Sequence, residues 1–475
     1  MRLSRPVQLV LTRPQTYHLY GPRPATRQRV RLAADGDGRI VSIRHDAVAQ
    51  TSMADDFCRH AGELSMALYD VADASATNRV VPVHRTTPTN MRAPAESYGS
   101  FALESAIDEL ADRCGIDPVT FRLQNLARDR HPGGKPWSSF RLDRCIESAS
   151  DAFGWNQFSS GAIDGSPGRR RGRGMAAAAY GGYRSQAAVR IVAAADGSIT
   201  ASTASHEIGS GTTTLVAQSV AKRLGVSPHE IHVRLGDTDA PAAPVQGASR
   251  NAASITPAAA AAADALIERL RRGDDGSPIR GRDAIAAAVR ASGQSSVDVV
   301  ARSGPAELDD NDFETLAGGV NTIRLPDQGD HVRYAFAAHF VEVVVDTRRG
   351  ETDIARVVSR VAAGRILNPM AAHSQVMGGL VFGLSQALLE GHRVDPASGR
   401  MLTAHPLRYP FVELGQTPPM DIEFIDDPDP HVGPSGAKGV GEIGTVGIAA
   451  AIANAVADAT GRRLQTLPLR IPVTP

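Results

Sequence analysis

The sequence predicts a mixed fold, α/β to α+β, on three observations. Residues 198–235 read as a strand, a glycine turn, a helix and a second strand. Residues 27–43 alternate apolar and polar on either side of Asp35-Gly36-Asp37-Gly38, the pattern of a hairpin. Ala-rich or apolar segments at 256–290, 375–389 and 446–460 have helical character, and no fixed-period repeat links them. A chain of 475 residues has room for two or three packed units at roughly 150 residues each.

The elements follow in order. Residues 6–11 (Pro-Val-Gln-Leu-Val-Leu) read as a strand, and so abrupt an opening raises the expectation that residues are missing upstream. The hairpin strands are 27–32 and 39–43. Residues 101–114 form a helix with Phe101, Leu103, Ile107, Leu110 and Cys114 on one face and Gly115 as its stop. Asp117 caps a second helix with Pro118 at its first position. The polar stretches 128–139 and 159–173 suit linkers, and the chain divides into units 1–130 and 140–475. Strand 198–205, turn 207–211, helix 213–224 and strand 231–235 come next. The helical region 256–290 is broken by a charged loop at 272–279, and 303–330 reads as an irregular insertion. Strands at 340–345 and 354–361 precede the helices at 375–389 and 446–460.

Composition narrows the function. Apolar residues make up 42%, and 51 basic residues balance 51 acidic ones, so the sign bias of a nucleic-acid or polybasic membrane protein is missing. No run of ~18 apolar residues suggests a bilayer span, and the first residues lack an apolar signal core. The expectation is a cytoplasmic protein that binds neither nucleic acid nor membrane. Cys58, Cys114 and Cys145 are too scattered for a disulfide framework, a zinc site or an iron–sulfur cluster, and read as small buried hydrophobes. His206-Glu207 opens like HExxH, but the second His is absent. The only lysines are Lys135, Lys222 and Lys438, the last inside the most glycine-rich turn.

That turn, 433–447, is Gly-Pro-Ser-Gly-Ala-Lys-Gly-Val-Gly-Glu-Ile-Gly-Thr-Val-Gly, leading into an apolar helix. Amides at a helix N-terminus beside a lysine suit anionic oxygens; the alternative is glycines that only permit close packing. Residues 439–444 match GxGxxG, but no strand precedes them, and the strand expected at 464–471 ends without an acid. The dinucleotide fingerprint, and with it a nicotinamide dehydrogenase, therefore fails. A Walker A motif fails because Gly439, not Ser or Thr, follows Lys438. Glu442 among these amides is either a general base or an ordinary acid in a first helical turn. Further loops at 207–212, 246–249 and 92–94 point to an extended, phosphate-bearing cofactor.

Across these loops the sequence resembles the molybdenum-binding subunit of the xanthine dehydrogenase/aldehyde oxidase family, and within it the bacterial three-subunit aldehyde oxidoreductases. The stretches that carry the resemblance are Arg92-Ala-Pro with Glu96, the helix from Phe101, and Gly115-Ile-Asp-Pro-Val-Thr-Phe-Arg-Leu-Gln-Asn. They continue with His206-Glu-Ile-Gly-Ser-Gly-Thr, Leu235-Gly-Asp-Thr-Asp, Gly364-Arg-Ile-Leu-Asn-Pro, Gln375-Val-Met-Gly-Gly and Gly436-Ala-Lys-Gly-Val-Gly-Glu-Ile-Gly, in family order.

The resemblance implies two molybdopterin-binding domains of the molybdenum hydroxylase type, the first incomplete and the family's hammerhead domain and Gly-Gly-Gly-Phe-Gly loop absent. It implies molybdopterin with molybdenum, in the cytosine dinucleotide form, and oxidation of an aldehyde or hydroxylation of an N-heteroaromatic with water as the oxygen source. Carried over by position, Glu442 is the base that accepts the proton of the attacking hydroxyl, and Gln375 hydrogen-bonds near the metal's oxo group. Arg92, Ala93, His206, Gly209, Ser210, Gly211, Thr212, Gly247, Ser249, Lys438, Gly439, Val440 and Gly441 line the cofactor. No side chain ligates the metal, which is held through the pterin dithiolene. Electrons leave to a [2Fe–2S] subunit and an FAD subunit, and an upstream fragment supplies the missing loop; export by a partner's signal would make the assembly periplasmic. Where the family has Gly this chain has Ala95 and Ala248, whose methyl groups would crowd a backbone contact. The competing reading is a non-catalytic remnant or assembly partner that binds no molybdenum.

Overall fold

The computed structural model describes residue 5 and residues 7–163, 165–271 and 279–473. Pro6 and most of the loop expected at 272–279 lie outside the described residues. Helix α1 (Arg13–Leu19) leads to strands β1 (Thr26–Ala34), β2 (Ile40–Ser52) and β3 (Asp73–Val83), then helices α2 (Glu96–Cys114), α3 (Pro118–Asn125) and α4 (Leu142–Phe153). Strands β4 (Gly161–Ala162), β5 (Arg169–Gly181), β6 (Ala187–Ala194) and β7 (Ile199–Thr203) precede α5 (Thr212–Leu224) and β8 (Ile231–Leu235). Then come α6 (Asn251–Arg271), α7 (Arg282–Ala291), β9 (Ser296–Ser303) and α8 (Asp310–Ala317). The chain ends with β10 (Tyr334–Asp346), β11 (Glu351–Ala362), α9 (Pro369–Leu388), β12 (Met420–Phe424) and α10 (Ile448–Thr460).

Three sheets result, ordered β1-β2-β3, β12-β11-β10-β5-β4 and β8-β7-β6-β9. Each contains one parallel pair, β2/β3, β11/β12 and β7/β8, among antiparallel neighbours. This is the α+β end of the expected class. The hairpin around Asp35-Gly36 forms as expected, because Asp35 Oδ1 accepts from the Asp37 and Arg39 amides. Asp117 caps α3 through the Val119 and Thr120 amides, and β7, α5 and β8 occupy the expected strand–helix–strand span.

Several expectations are corrected. Residues 7–11 are not a strand: Val7, Leu9 and Val10 are exposed and no strand pairs with them. Residues 464–471 are also non-strand. The polar stretch 159–173 runs into β5, where Arg171 pairs with Glu342 and the Arg173 guanidinium sits 4.1 Å from the Trp155 ring centre. Most of the rest of β5 is Gly and Ala, weak strand formers, interrupted by Met175 and Tyr180, and α10 lies directly on it; a Cβ at Gly174 would come 2.2 Å from Ala451 O. The stretch 128–139 is packed rather than loose, with Trp137 buried against Phe140, Tyr334 and Phe336. The insertion 303–330 contains α8, started by a capping box at Asp309. Ile443–Thr460 is long and apolar enough to cross a bilayer, contrary to expectation, but 89% of it is buried inside the fold as a core segment. Of the cysteines only Cys145 is fully buried; Cys58 and Cys114 are partly exposed.

One large core joins α2, α4, α9 and α10 to the five-stranded sheet, and a second joins α5, α6 and α7 to the four-stranded sheet. Within the first lies a buried polar centre. Glu104 of α2 accepts from Arg122 Nε at 2.8 Å, from Tyr69 OH at 2.5 Å and from the Ala177 amide of β5 at 2.8 Å. Asn454 of α10 reaches the carbonyls of Glu104 and Met175. Arg122 and Glu104 are wholly inaccessible to solvent, so either charge left alone would be strongly unfavourable. We expect Arg122→Leu to destabilise the protein by about 3–5 kcal/mol, measured as the shift in a urea unfolding midpoint. An effect within about 0.5 kcal/mol, the range of surface substitutions, would show that the centre does not hold the elements together.

Candidate functional site

The glycine-rich turn, the N-terminus of α9, the loop before α2 and the loops at 208–212 and 245–252 converge on one cleft of about 1450 Å³. Arg92, Ser210, Thr212, Gly247, Ser249, Gln375 and residues 438–442 all line it. Ala93 lies fully buried just behind Arg92. His206, Gly209 and Gly211 are not part of the lining, and His206 and Gly209 are exposed.

Convergence depends on two arginines and two glycines. The Arg92 guanidinium donates to the carbonyls of Gly441 and Gln375, across 349 and 283 residues of chain. Arg23 holds the same loop from behind, donating to Arg92 O at 2.7 Å, Ala93 O at 2.9 Å and Ser97 Oγ at 2.6 Å. A Cβ at Gly439 would lie 1.6 Å from Ser249 O, and one at Gly444 would lie 2.5 Å from Val376 O. For these two positions the close-packing explanation of the glycines is correct.

Glu442 does not sit in a helical first turn. It precedes a short 3-10 turn, Ile443–Thr445, and lies six residues ahead of α10. Its carboxylate accepts from the Ala93 amide at 3.3 Å, from the Ala248 amide and from the Tyr180 hydroxyl. The only non-glycine residues with positive φ among the described residues are Ala93, Ala248 and Ser249, at 49°, 55° and 49°. Left-handed backbone is costly for these residue types, and in two of them it accompanies an amide directed at Glu442. Ala248 is thus a position where Gly would fit more easily. Ala95, at φ −110°, is in ordinary backbone and carries no such strain.

Burial raises the Glu442 carboxyl above its ordinary value, against the Tyr180, Ala93 and Arg92 interactions that favour the charged form. Two more carboxyls share this wall. Burial and the nearby Glu63 and Glu442 push Glu96 up to about 8, and burial also raises Glu63, whose Oε1 accepts from Tyr334 OH at 2.7 Å. Both shifts favour the protonated carboxyl.

Two expected anion sites are filled by the chain itself. Lys438 Nζ donates to Ser139 Oγ at 2.7 Å and Tyr334 O at 2.8 Å, and pairs with Asp429 at 2.9 Å. All three ammonium donors are engaged, so Lys438 is a buried structural cation rather than a free phosphate ligand. At the start of α5, Glu207 accepts from the Gly209, Gly211 and Thr213 amides at 2.9, 3.0 and 3.1 Å. Partial burial opposes its charge, yet these amides hold the Glu207 carboxyl below its ordinary value.

The polar groups left open are different ones. Gln246 donates to Ser210 and Thr212, and among the described residues its Oε1 is buried without a partner, as are Ser249 Oγ and the Arg250 Nε and Nη1. Arg250 is 1% exposed, and burial lowers its guanidinium to about 10 despite Tyr180 nearby. Sequence reasoning named Gln246 only as part of the 246–249 loop and missed Arg250, Tyr180, Glu63 and Arg23. The adjacency of Arg250 to that loop was the available signal for one of them.

Comparison with known proteins agrees with this geometry. Models described as molybdopterin cofactor-binding domains match residues 1–126 and 148–418. The chain is 32% identical over 477 residues to the aldehyde oxidoreductase molybdenum-binding subunit PaoC of Escherichia coli (strain K12), covering 99% of this chain and 63% of PaoC. It is 28% identical over 493 residues to the xanthine dehydrogenase molybdenum-binding subunit of Escherichia coli O157:H7, covering 98% of this chain and 64% of that protein. The chain thus spans less than two thirds of these relatives. In fold it matches the aldehyde oxidoreductase of Desulfovibrio gigas with a TM-score of 0.78 at 24% identity, over 96% of this chain and 49% of that one. Quinoline 2-oxidoreductase from Pseudomonas putida 86 gives 0.82 at 20% identity, over 98% and 64%. With both domain models matched along its length, the chain belongs to the molybdopterin cofactor-binding family, that of the molybdenum-binding subunits of aldehyde oxidoreductases and xanthine dehydrogenases.

Proposed function

We propose that this chain carries the molybdenum site of a hydroxylase that oxidises an aldehyde, with water as the oxygen source, and passes electrons to an iron–sulfur subunit and an FAD subunit. The observation that carries the reading is Glu442, a half-buried carboxylate held by two backbone amides and a tyrosine at the cleft where the loops meet. The higher identity to PaoC than to the xanthine dehydrogenase subunit favours an aldehyde over a purine.

The cleft suits the cofactor on its own chemistry. Its volume of about 1450 Å³ exceeds the roughly 300–1,000 Å³ of common small-ligand pockets, as a dinucleotide cofactor together with a substrate would require. The unpaired Arg250 nitrogens, Gln246 Oε1 and Ser249 Oγ provide a cation, an acceptor and a hydroxyl for a phosphate-bearing, hydrogen-bonding group. These residues, with Ser210, Thr212 and the 439–441 backbone, would hold it. We assign it the cytosine dinucleotide form.

The bound molybdenum–pterin group supplies the two-electron oxidation. The chain supplies the rest. Glu442 takes up the nucleophile's proton on its carboxylate, and Tyr180 with the Ala93 and Ala248 amides holds that carboxylate in place. Arg92 closes the loops around it, and Gln375 presents its side chain beside Gly441. The raised Glu96 carboxyl favours its neutral form beside Glu442.

In the assembled enzyme, Glu442→Gln should lower kcat/KM for an aromatic aldehyde by on the order of 10² to 10⁴ with molybdenum content unchanged. A fall of less than about tenfold, below that range, would remove Glu442 as the base, and loss of metal with activity would make it a structural residue. Because the charged form is the base, activity rises with pH through the Glu442 pKa. Its acid limb should therefore lie above the usual ~4.3 of a glutamate. Tyr180→Phe removes a hydrogen bond to the charged form and should move that limb to still higher pH, which a kcat/KM–pH profile measures. An unmoved or lowered limb would refute the contact.

A further inference from the structure

A second cavity, of about 1790 Å³, lies between β1, α2, the end of α9 and the C-terminal tail, and shares only Met91 with the cleft. We propose that it is a docking groove for an extended polypeptide segment rich in carboxylates, which pairs with the free edge of β1.

Three independent observations support this. First, among the described residues β1 is an outer strand of its sheet and pairs only with β2. Five consecutive β1 residues, 26–30, line the groove. Successive side chains point to opposite faces of a sheet, so the cavity follows the β1 edge, and through Asp46, Val48 and Gln50 of β2 and Arg79 of β3 it also laps onto one face of the sheet. An open edge offers main-chain donors and acceptors to another strand.

Second, the groove's charges are unbalanced in use. Arg27, Arg29, Arg85, Arg393 and Arg408 line it without an ion pair among the described residues. The three acids lining it are already engaged: Asp46 by Arg31 and Thr77, Glu109 by Arg113, and Glu390 by Tyr409. Arginines along an edge repel strands of like charge, so they select a partner of opposite charge.

Third, four buried polar atoms on the groove's walls have no partner among the described residues: Tyr98 OH, Ser105 Oγ, Gln386 Oε1 and His392 Nδ1. Tyr98 itself is 5% exposed. Buried polar atoms are nearly always satisfied, so these four mark a wall the chain itself leaves incomplete. A small anion would meet the arginines but not the strand edge.

The test uses the purified chain and a fluorescent peptide of about ten residues alternating Val and Glu, as strand addition requires. The peptide should bind at least about tenfold more tightly than its Val-Lys counterpart, about 1.4 kcal/mol, and should slow hydrogen exchange in β1. N-methylation along one peptide edge, and Arg27→Glu with Arg29→Glu in the protein, should each weaken binding by about tenfold or more. Equal affinity for both peptides, or indifference to N-methylation, would overturn the proposal. So would binding of inorganic phosphate or a nucleotide without protection of β1, which marks a small-anion site. Self-association of the chain that masks 26–34 in place of peptide binding would assign the groove to a second copy and overturn it as well.

Discussion

The buried carboxylate of Glu104 is the constraint on which the site rests. It sits two turns into α2, whose first turn directly follows Arg92 and Ala93. It holds Arg122 of α3 and the Ala177 amide of β5, while Asn454 brings α10 to the same point. The loop carrying Glu442 leads into α10. Fixing α2, β5 and α10 to one another therefore fixes the distance between Ala93 and Glu442, and places Tyr180, three residues beyond Ala177 on β5, against the carboxylate. A buried charge gives poor return as stabilisation alone, yet it tolerates few arrangements. Here that intolerance aligns segments from opposite ends of the chain.

Around the cleft the protein neutralises many of its own strong charges before any ligand arrives. Lys438 is consumed by Asp429, Ser139 and Tyr334, and the amides at the start of α5 are consumed by Glu207. The remaining open groups are the Arg250 guanidinium and neutral hydrogen-bonding atoms on Gln246 and Ser249. Such a surface recognises shape and hydrogen-bonding pattern more than net charge. The glycines serve that end by letting backbones approach within distances a Cβ would prevent, and the left-handed Ala93, Ala248 and Ser249 are local strain that the packed surroundings sustain.

The two cavities differ in what they leave unfinished. The cleft lacks partners for a few buried side-chain atoms set among converging loops, the character of a ligand site. The groove lacks partners for a strand edge and a row of arginines, the character of a surface awaiting another chain. The two cavities adjoin at Met91, just before Arg92 and the start of α2.

Local chemistry made much of the framework legible from sequence. The Asp35 turn, the Asp117 cap, the β7–α5–β8 unit and the helices at 101–114 and 446–460 follow from side chains acting on nearby backbone or from a continuous apolar face. The glycine turns and their family order also pointed to Arg92, Gln375 and Glu442, which the fold brings together. What the sequence could not decide was set by contacts across hundreds of residues. Strand β5 has glycines at 172 and 174 where α10 presses on it, a fact no local propensity contains. Lys438 looked like an anion ligand until Asp429 and two distant oxygens claimed its donors. Arg250 and Tyr180 became site residues only when tertiary packing buried the one unpaired and aimed the other at Glu442. Sequence alone determined which segments can turn, cap and cluster; the tertiary structure decided which charges are spent internally and which face the cleft, because burial and pairing are properties of neighbours in space.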